Sequence, residues 1–95
     1  MDKQFVLVVY DISNDRRRTR LHNVLLDYGT PVQYSVFECL LTEKRLAQMK
    51  EATARVIRPR VDQVRYYYLC AGCVGRTEVT CGVEVLRAEP GAMIV

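Results

Sequence analysis

Asp11 closes a run of apolar residues, Gln4 to Tyr10 (QFVLVVY), and four arginines follow it within nine positions, Arg16, Arg17, Arg18 and Arg20. A carboxylate at the end of a buried strand can hold a hard cation such as Mg²⁺, and Mg²⁺ with arginines is a common support for phosphodiester hydrolysis. The alternative is that Asp11 caps the loop by accepting backbone N–H groups. A lone carboxylate is meagre for a metal nuclease, so a second Asp11 from a symmetric dimer would complete the site. The arginines read as a local anion site, because guanidinium grips phosphate oxygens bidentately, or as a solvated helix end.

Other constellations are weaker. His22, the only histidine, lies beside an apolar helical stripe and reads as a helix-surface residue or a base. No second base stands ready to orient Ser13 or Ser35, which removes support for a nucleophilic triad. Cys70-Ala-Gly-Cys73 is a CxxC with Cys81 eight residues on, able to hold zinc if Cys39 were a fourth ligand, or to do redox work. Gly72 and Gly75 favour a turn there. Tyr66, Tyr67 and Tyr68 could stack bases, yet strand tyrosines usually pack.

The elements that must position these groups follow from periodicity. Gln4 to Tyr10 is apolar on both parities, as in a central strand covered on both faces. Ser13, Asn14 and Asp15 are competent N-caps for a helix over Asp15 to Tyr28, whose Leu21, Val24, Leu25 and Tyr28 fall on one face, with Gly29 in the αL cap position. Arg16, Arg20, Asn23 and Asp27 lie opposite. Cations at a helix start oppose the macrodipole, which suggests an anion nearby. Thr30 to Leu41 is extended, with a break expected near Tyr34 to Val36. Thr42 caps a second helix from Glu43 to about Ile57, with Leu46, Met49, Val56 and Ile57 on one face, Thr53 interrupting it and Pro59 ending it. Asp62 to Cys70 is a strand, and Arg76 to Leu86 makes one or two short strands before a tail.

That order predicts an α+β fold, a ferredoxin-like βαββαβ sandwich with an antiparallel sheet and an extra short C-terminal strand. Both helices would cover one sheet face, leaving the other for a second subunit. Ninety-five residues, 49% hydrophobic, suit a single domain, taken as 1–86 with a tail at 87–95 that would touch the dimer partner. The net charge of +3 supports nucleic-acid binding weakly, but eleven of the fourteen cations are arginine. No apolar run approaches the roughly 20 residues of a membrane span, and no export signal is visible, so a cytoplasmic protein with reduced cysteines is expected.

The segment YDISNDRRRTRLHNVLLDYGTPVQYSVFE, Tyr10 to Glu38, together with DQVRYYYL, Asp62 to Leu69, resembles the signature of the CRISPR-associated protein two family. The resemblance covers about three quarters of the chain, and its motifs are specific in combination. It implies a homodimer with its sheets face to face and a C-terminal strand reaching the partner. It implies a metal-dependent endonuclease on RNA or DNA, with Asp11 as catalytic Mg²⁺ ligand. It also implies a scaffold between CRISPR integrase subunits in spacer acquisition, with arginines along duplex DNA, a role in which Asp11 is dispensable. Arg18 and Arg20 would contact phosphate, and Tyr10, Ser35 and Phe37 would shape the dimer cleft. Many relatives carry a basic residue where this chain has Pro31, which removes one nucleic-acid contact.

Overall fold

The computed structural model describes residues 2–79. Most of the strand expected from Arg76 to Leu86, the tail at 87–95 and Cys81 lie outside the described residues. Among the described residues seven elements follow in order: β1 (Gln4–Asp11), α1 (Asp15–Leu25), β2 (Gly29–Gln33), β3 (Val36–Leu41), α2 (Glu43–Val56), β4 (Gln63–Leu69) and the short α3 (Ala71–Gly75). The strands form one sheet in the order β2-β3-β1-β4, and each neighbouring pair is antiparallel. This is the ferredoxin-like α+β arrangement expected.

Strand alternation sorts β1 onto two faces. Val6, Val8 and Tyr10 turn toward the helices and join Phe37, Cys39 and Leu41 of β3, Leu21 and Leu25 of α1, and Met49 and Val56 of α2 in one core. Burying each large side chain of this set contributes on the order of 1.5–3 kcal/mol. The other face carries Leu7 and Val9 of β1, Val36, Glu38 and Leu40 of β3, and Arg65, Tyr67 and Leu69 of β4. Leu7, Val9, Val36 and Leu40 are only half-buried there.

Local chemistry sets the boundaries. Asn14 caps α1, its side-chain oxygen accepting from Arg17 N at 2.9 Å, and Thr42 caps α2 by accepting from Arg45 N at 3.2 Å. Helix α1 ends at Leu25, three residues before the expected Tyr28. There the turns tighten, with Asp27 N donating to Val24 O at 3.2 Å and Tyr28 N to Leu25 O at 2.9 Å.

Gly29 therefore does not cap the helix; it opens β2. A Cβ on it would stand 2.5 Å from the Glu38 carbonyl oxygen and would also strike Cys39 Sγ, so close strand approach is what demands glycine. The β2–β3 turn falls at Tyr34 and Ser35, inside the expected window, with Ser35 in the left-handed region at φ 51°. Thr53, expected to interrupt the apolar face of α2, is itself buried. Gly72 and Gly75 do not bracket a turn, because residues 71–75 form α3, and residues 76–79 are not a strand.

Candidate functional site

β1 delivers Asp11 to the end of the sheet, opposite Gln63 of β4, and alternation turns it away from the helices that cover its neighbour Tyr10. The Asp11 side chain is exposed, and no described residue donates a hydrogen bond or ion pair to it. Loop capping is the work of Asn14 instead. Among the described residues nothing draws on the accepting capacity of the Asp11 carboxylate, which stands exposed at the end of the sheet where α1 begins.

The four arginines separate into two kinds. Arg17 grips Asp62 with both arms of its fork, Nε to Oδ2 at 2.7 Å and Nη2 to Oδ1 at 3.1 Å. Asp62 Oδ2 also accepts from Arg58 N at 2.8 Å, and its side chain is only 1% exposed. Arg17, followed by the Arg58 amide, holds the Asp62 carboxyl below the usual carboxylate range. Arg18 is also occupied: Nη1 donates to the Ile12 carbonyl at 3.0 Å and Nη2 pairs with Asp15. These two brace the β1–α1 loop and tie α1 to the approach to β4. Arg16 and Arg20 are exposed and have no side-chain partner among the described residues, so theirs are the guanidinium groups of the cluster open to an external anion.

Tyr10 and Phe37, expected at the cleft between subunits, face the helices instead. Phe37 is fully buried and Tyr10 nearly so, their rings stack with centroids 6.4 Å apart, and His22 sets its edge on Phe37 at 5.2 Å. The alternation of β3 decides this, because Phe37 pairs with Val8 on the helix side. Burial raises the Tyr10 phenol above its ordinary value, with Arg18 partly opposing. Ser35 stays half-exposed, and its carbonyl accepts from Tyr10 N at 3.0 Å. Tyr10, Arg18, His22, Gln33 and Ser35 line an open groove of about 1170 Å³ between α1 and the β2–β3 hairpin.

The three tyrosines of β4 do not share one platform. Tyr66 and Tyr68 take the helix side, where Lys50 Nζ sits 5.4 and 5.2 Å from their ring centres, while Tyr67 takes the open face and its hydroxyl accepts from Arg65 at 3.2 Å. Cys39 is buried 3.9 Å from Met49 Sδ, and burial pushes its thiol up to about 11, whereas Cys70 and Cys73 are exposed beyond β4. Among the described residues Cys39 does not come together with them as a zinc site.

Two residues passed over in the sequence carry weight here. Asp62 anchors Arg17, a role that no local pattern announces. Glu38 lies on the open face between Val36 and Leu40, where burial raises its carboxyl above the ordinary value. Strict alternation through β3 would have placed Glu38.

Among the described residues no three His, Cys, Asp or Glu side chains come together as a ready-made metal cage. An exposed, unpartnered carboxylate nevertheless fits a hard divalent cation, since Mg²⁺ usually takes one or two protein carboxylates and fills its shell with waters and phosphate. Fold and site together define a ferredoxin-like α+β protein with an exposed strand-end carboxylate and two exposed arginines of α1, Arg16 and Arg20, none of them partnered among the described residues.

The chain belongs to the CRISPR associated protein Cas2 family, whose model matches residues 4–77. It is 33% identical over 89 residues to a Synechocystis protein named CRISPR-associated endoribonuclease Cas2 3, covering 94% of this chain and 96% of that one. The crystal structure of Streptococcus pyogenes Cas2 superposes with a TM-score of 0.71 at 31% identity, covering 79% of this chain and 96% of that one. A chain of a partial Cas6-RT-Cas1-Cas2 complex superposes with a TM-score of 0.70 at 26% identity, covering 84% of this chain and 88% of that one.

Proposed function

We propose that this protein is a cytoplasmic, homodimeric Mg²⁺-dependent endonuclease of CRISPR adaptation, cutting phosphodiester bonds of RNA or DNA. The observation that carries the reading is the Asp11 carboxylate, exposed at the end of β1 and unpartnered among the described residues. Asp11, with the Asp11 of a second copy, would hold the cation. A bound Mg²⁺ supplies Lewis-acid polarisation of a phosphoryl oxygen and lowers the pKa of bound water. Arg16 and Arg20 would take phosphate oxygens of the backbone and fix its position relative to Asp11. Arg17 and Arg18 act through the scaffold: their bonds to Asp62 and to the Ile12 carbonyl keep the β1–α1 loop in one shape. The half-buried apolar side chains of the open sheet face favour dimerisation through that face.

A second reading is a non-catalytic scaffold that bridges CRISPR integrase subunits and holds duplex DNA. It is favoured by the likeness to a chain of a Cas1-Cas2 complex and by two free arginines that need no Asp11. Asp11→Asn separates the two. Labelled single-stranded RNA and duplex DNA are incubated with wild type and variant, with Mg²⁺ and with EDTA. Cutting by wild type that needs Mg²⁺ and vanishes in Asp11→Asn, with nucleic-acid affinity kept, supports the nuclease and names its substrate. No cutting, or equal cutting by both proteins, refutes it in favour of the scaffold.

A further inference from the structure

Cys70 and Cys73 stand at the start of α3 with their sulfurs 3.4 Å apart, and both side chains are exposed. The turn that carries them is held from several sides. Val74 N donates to the Cys70 carbonyl at 3.0 Å, and Arg76 N and Thr77 Oγ1 donate to the Cys73 carbonyl at 3.2 and 3.1 Å. Val74, adjacent to Cys73, is 1% exposed and anchors the turn. Two thiols thereby stand side by side at the protein surface, close to the bond length of about 2.05 Å in a disulfide.

We propose that Cys70 and Cys73 are a redox-active dithiol that small-molecule disulfides, such as oxidised glutathione, convert to an intramolecular disulfide. The Cys70 thiolate attacks one sulfur of the small disulfide; that S–S bond breaks, one thiolate leaves and takes up a proton, and Cys70 is left in a mixed disulfide. Cys73 then loses its proton to solvent and attacks the Cys70 sulfur, displacing the second small thiol. Two protein thiols are oxidised to one disulfide and the small disulfide is reduced to two thiols. The order of attack follows from the surroundings. The amide of Cys73 and the Cys73 thiol stabilise the Cys70 thiolate and hold its pKa below the ordinary value, while the same contact raises Cys73. An exposed, lowered thiol with a resolving partner beside it is the pattern of redox-sensing cysteines. The buried Cys39 takes no part.

The dithiol follows Leu69, which aligns near Phe5, whereas Asp11 aligns with Gln63, so roughly 20 Å of strand separates the two sites. Oxidation of the dithiol therefore does not depend on nuclease activity at Asp11. The test equilibrates the full native chain in glutathione buffers of graded potential, blocks free thiols with a maleimide, and maps peptides by mass. The expected result is loss of maleimide labelling at both Cys70 and Cys73, with the single peptide that carries both lighter by two hydrogens and full recovery under reduced glutathione. Cys73→Ser should trap glutathione on Cys70, whereas Cys70→Ser should leave Cys73 largely unmodified. A link from either residue to Cys81, a persistent glutathione adduct on the wild-type chain, or stoichiometric zinc that blocks oxidation would overturn the proposal.

Discussion

Replacing Gly29 by alanine tests the claim that close strand approach, not a helix cap, requires glycine there. The added Cβ would lie 2.5 Å from the Glu38 carbonyl oxygen and 3.1 Å from its carbon, both backbone, and would also meet Cys39 Sγ. That sulfur has nowhere to retreat, being fully buried and 3.9 Å from Met49 Sδ. The β2–β3 ladder must therefore shift, and overpacking of this kind costs about 1–3 kcal/mol. At about 4–8 °C per kcal/mol for a domain of this size, Tm should fall by roughly 4 °C to more than 20 °C. Gly72 and Gly75 supply controls of opposite sign. A Cβ at Gly72 meets only Cys70 Sγ at 3.9 Å and one at Gly75 meets nothing within 4 Å, so alanine in this helix should stabilise by about 0.5 kcal/mol. The assay is thermal and urea unfolding by circular dichroism at equal protein concentration, because a dimer makes Tm concentration-dependent. Gly29→Ala melting with the wild type, or all three variants moving in the same direction, would show that close strand approach does not demand glycine at position 29.

Converting Arg16 and Arg20 together to alanine should flatten the salt dependence of duplex binding by about two phosphate contacts and leave stability within about 0.5 kcal/mol; binding titrations over a salt series and a thermal melt check both. Arg17→Ala should show the reverse balance, a clear loss in Tm from breaking the Asp62 pair with a smaller change in the salt slope. Because the Asp62 carboxyl is held below its unfolded value, its stabilisation is present above the usual carboxylate range and is lost as pH falls through the folded value; Asp62→Asn should lower Tm at neutral pH and narrow the gap to wild type in acid. Cys39 has the opposite sign: with its thiol raised from 9.0 to about 11, stability from this group is full below pH 9 and declines as pH rises through 11, and Cys39→Ala should remove that alkaline decline.

The element order, the caps Asn14 and Thr42 and the hairpin break near Tyr34 were legible because each rests on neighbours within a few residues. The early end of α1 and the helical turn at 71–75 were not, since the balance between an α turn and tighter i→i+3 bonds is decided by what the next strand requires of Gly29 and what Val74 buries against. The candidate site divided in the same way. Asp11 at a strand end could be read directly, and so could the arginine cluster as a whole. Which arginines are free could not, because Arg17 is claimed by a carboxylate 45 residues away.

Periodicity and capping chemistry are local, so the βαββαβ order, the double-faced apolar character of β1 and the placement of Asp11 beside basic residues follow from the amino-acid sequence alone. Pairing partners and the face each side chain occupies depend on strand register, which is a relation between distant segments. Register turned Phe37 into the core and Glu38 onto the open face, and divided the tyrosines of β4 between both sides of the sheet. Tertiary packing likewise buried Asp62 against Arg17 and left Arg16 and Arg20 in solvent, because a buried carboxylate must find a cation while an exposed guanidinium need not find an anion.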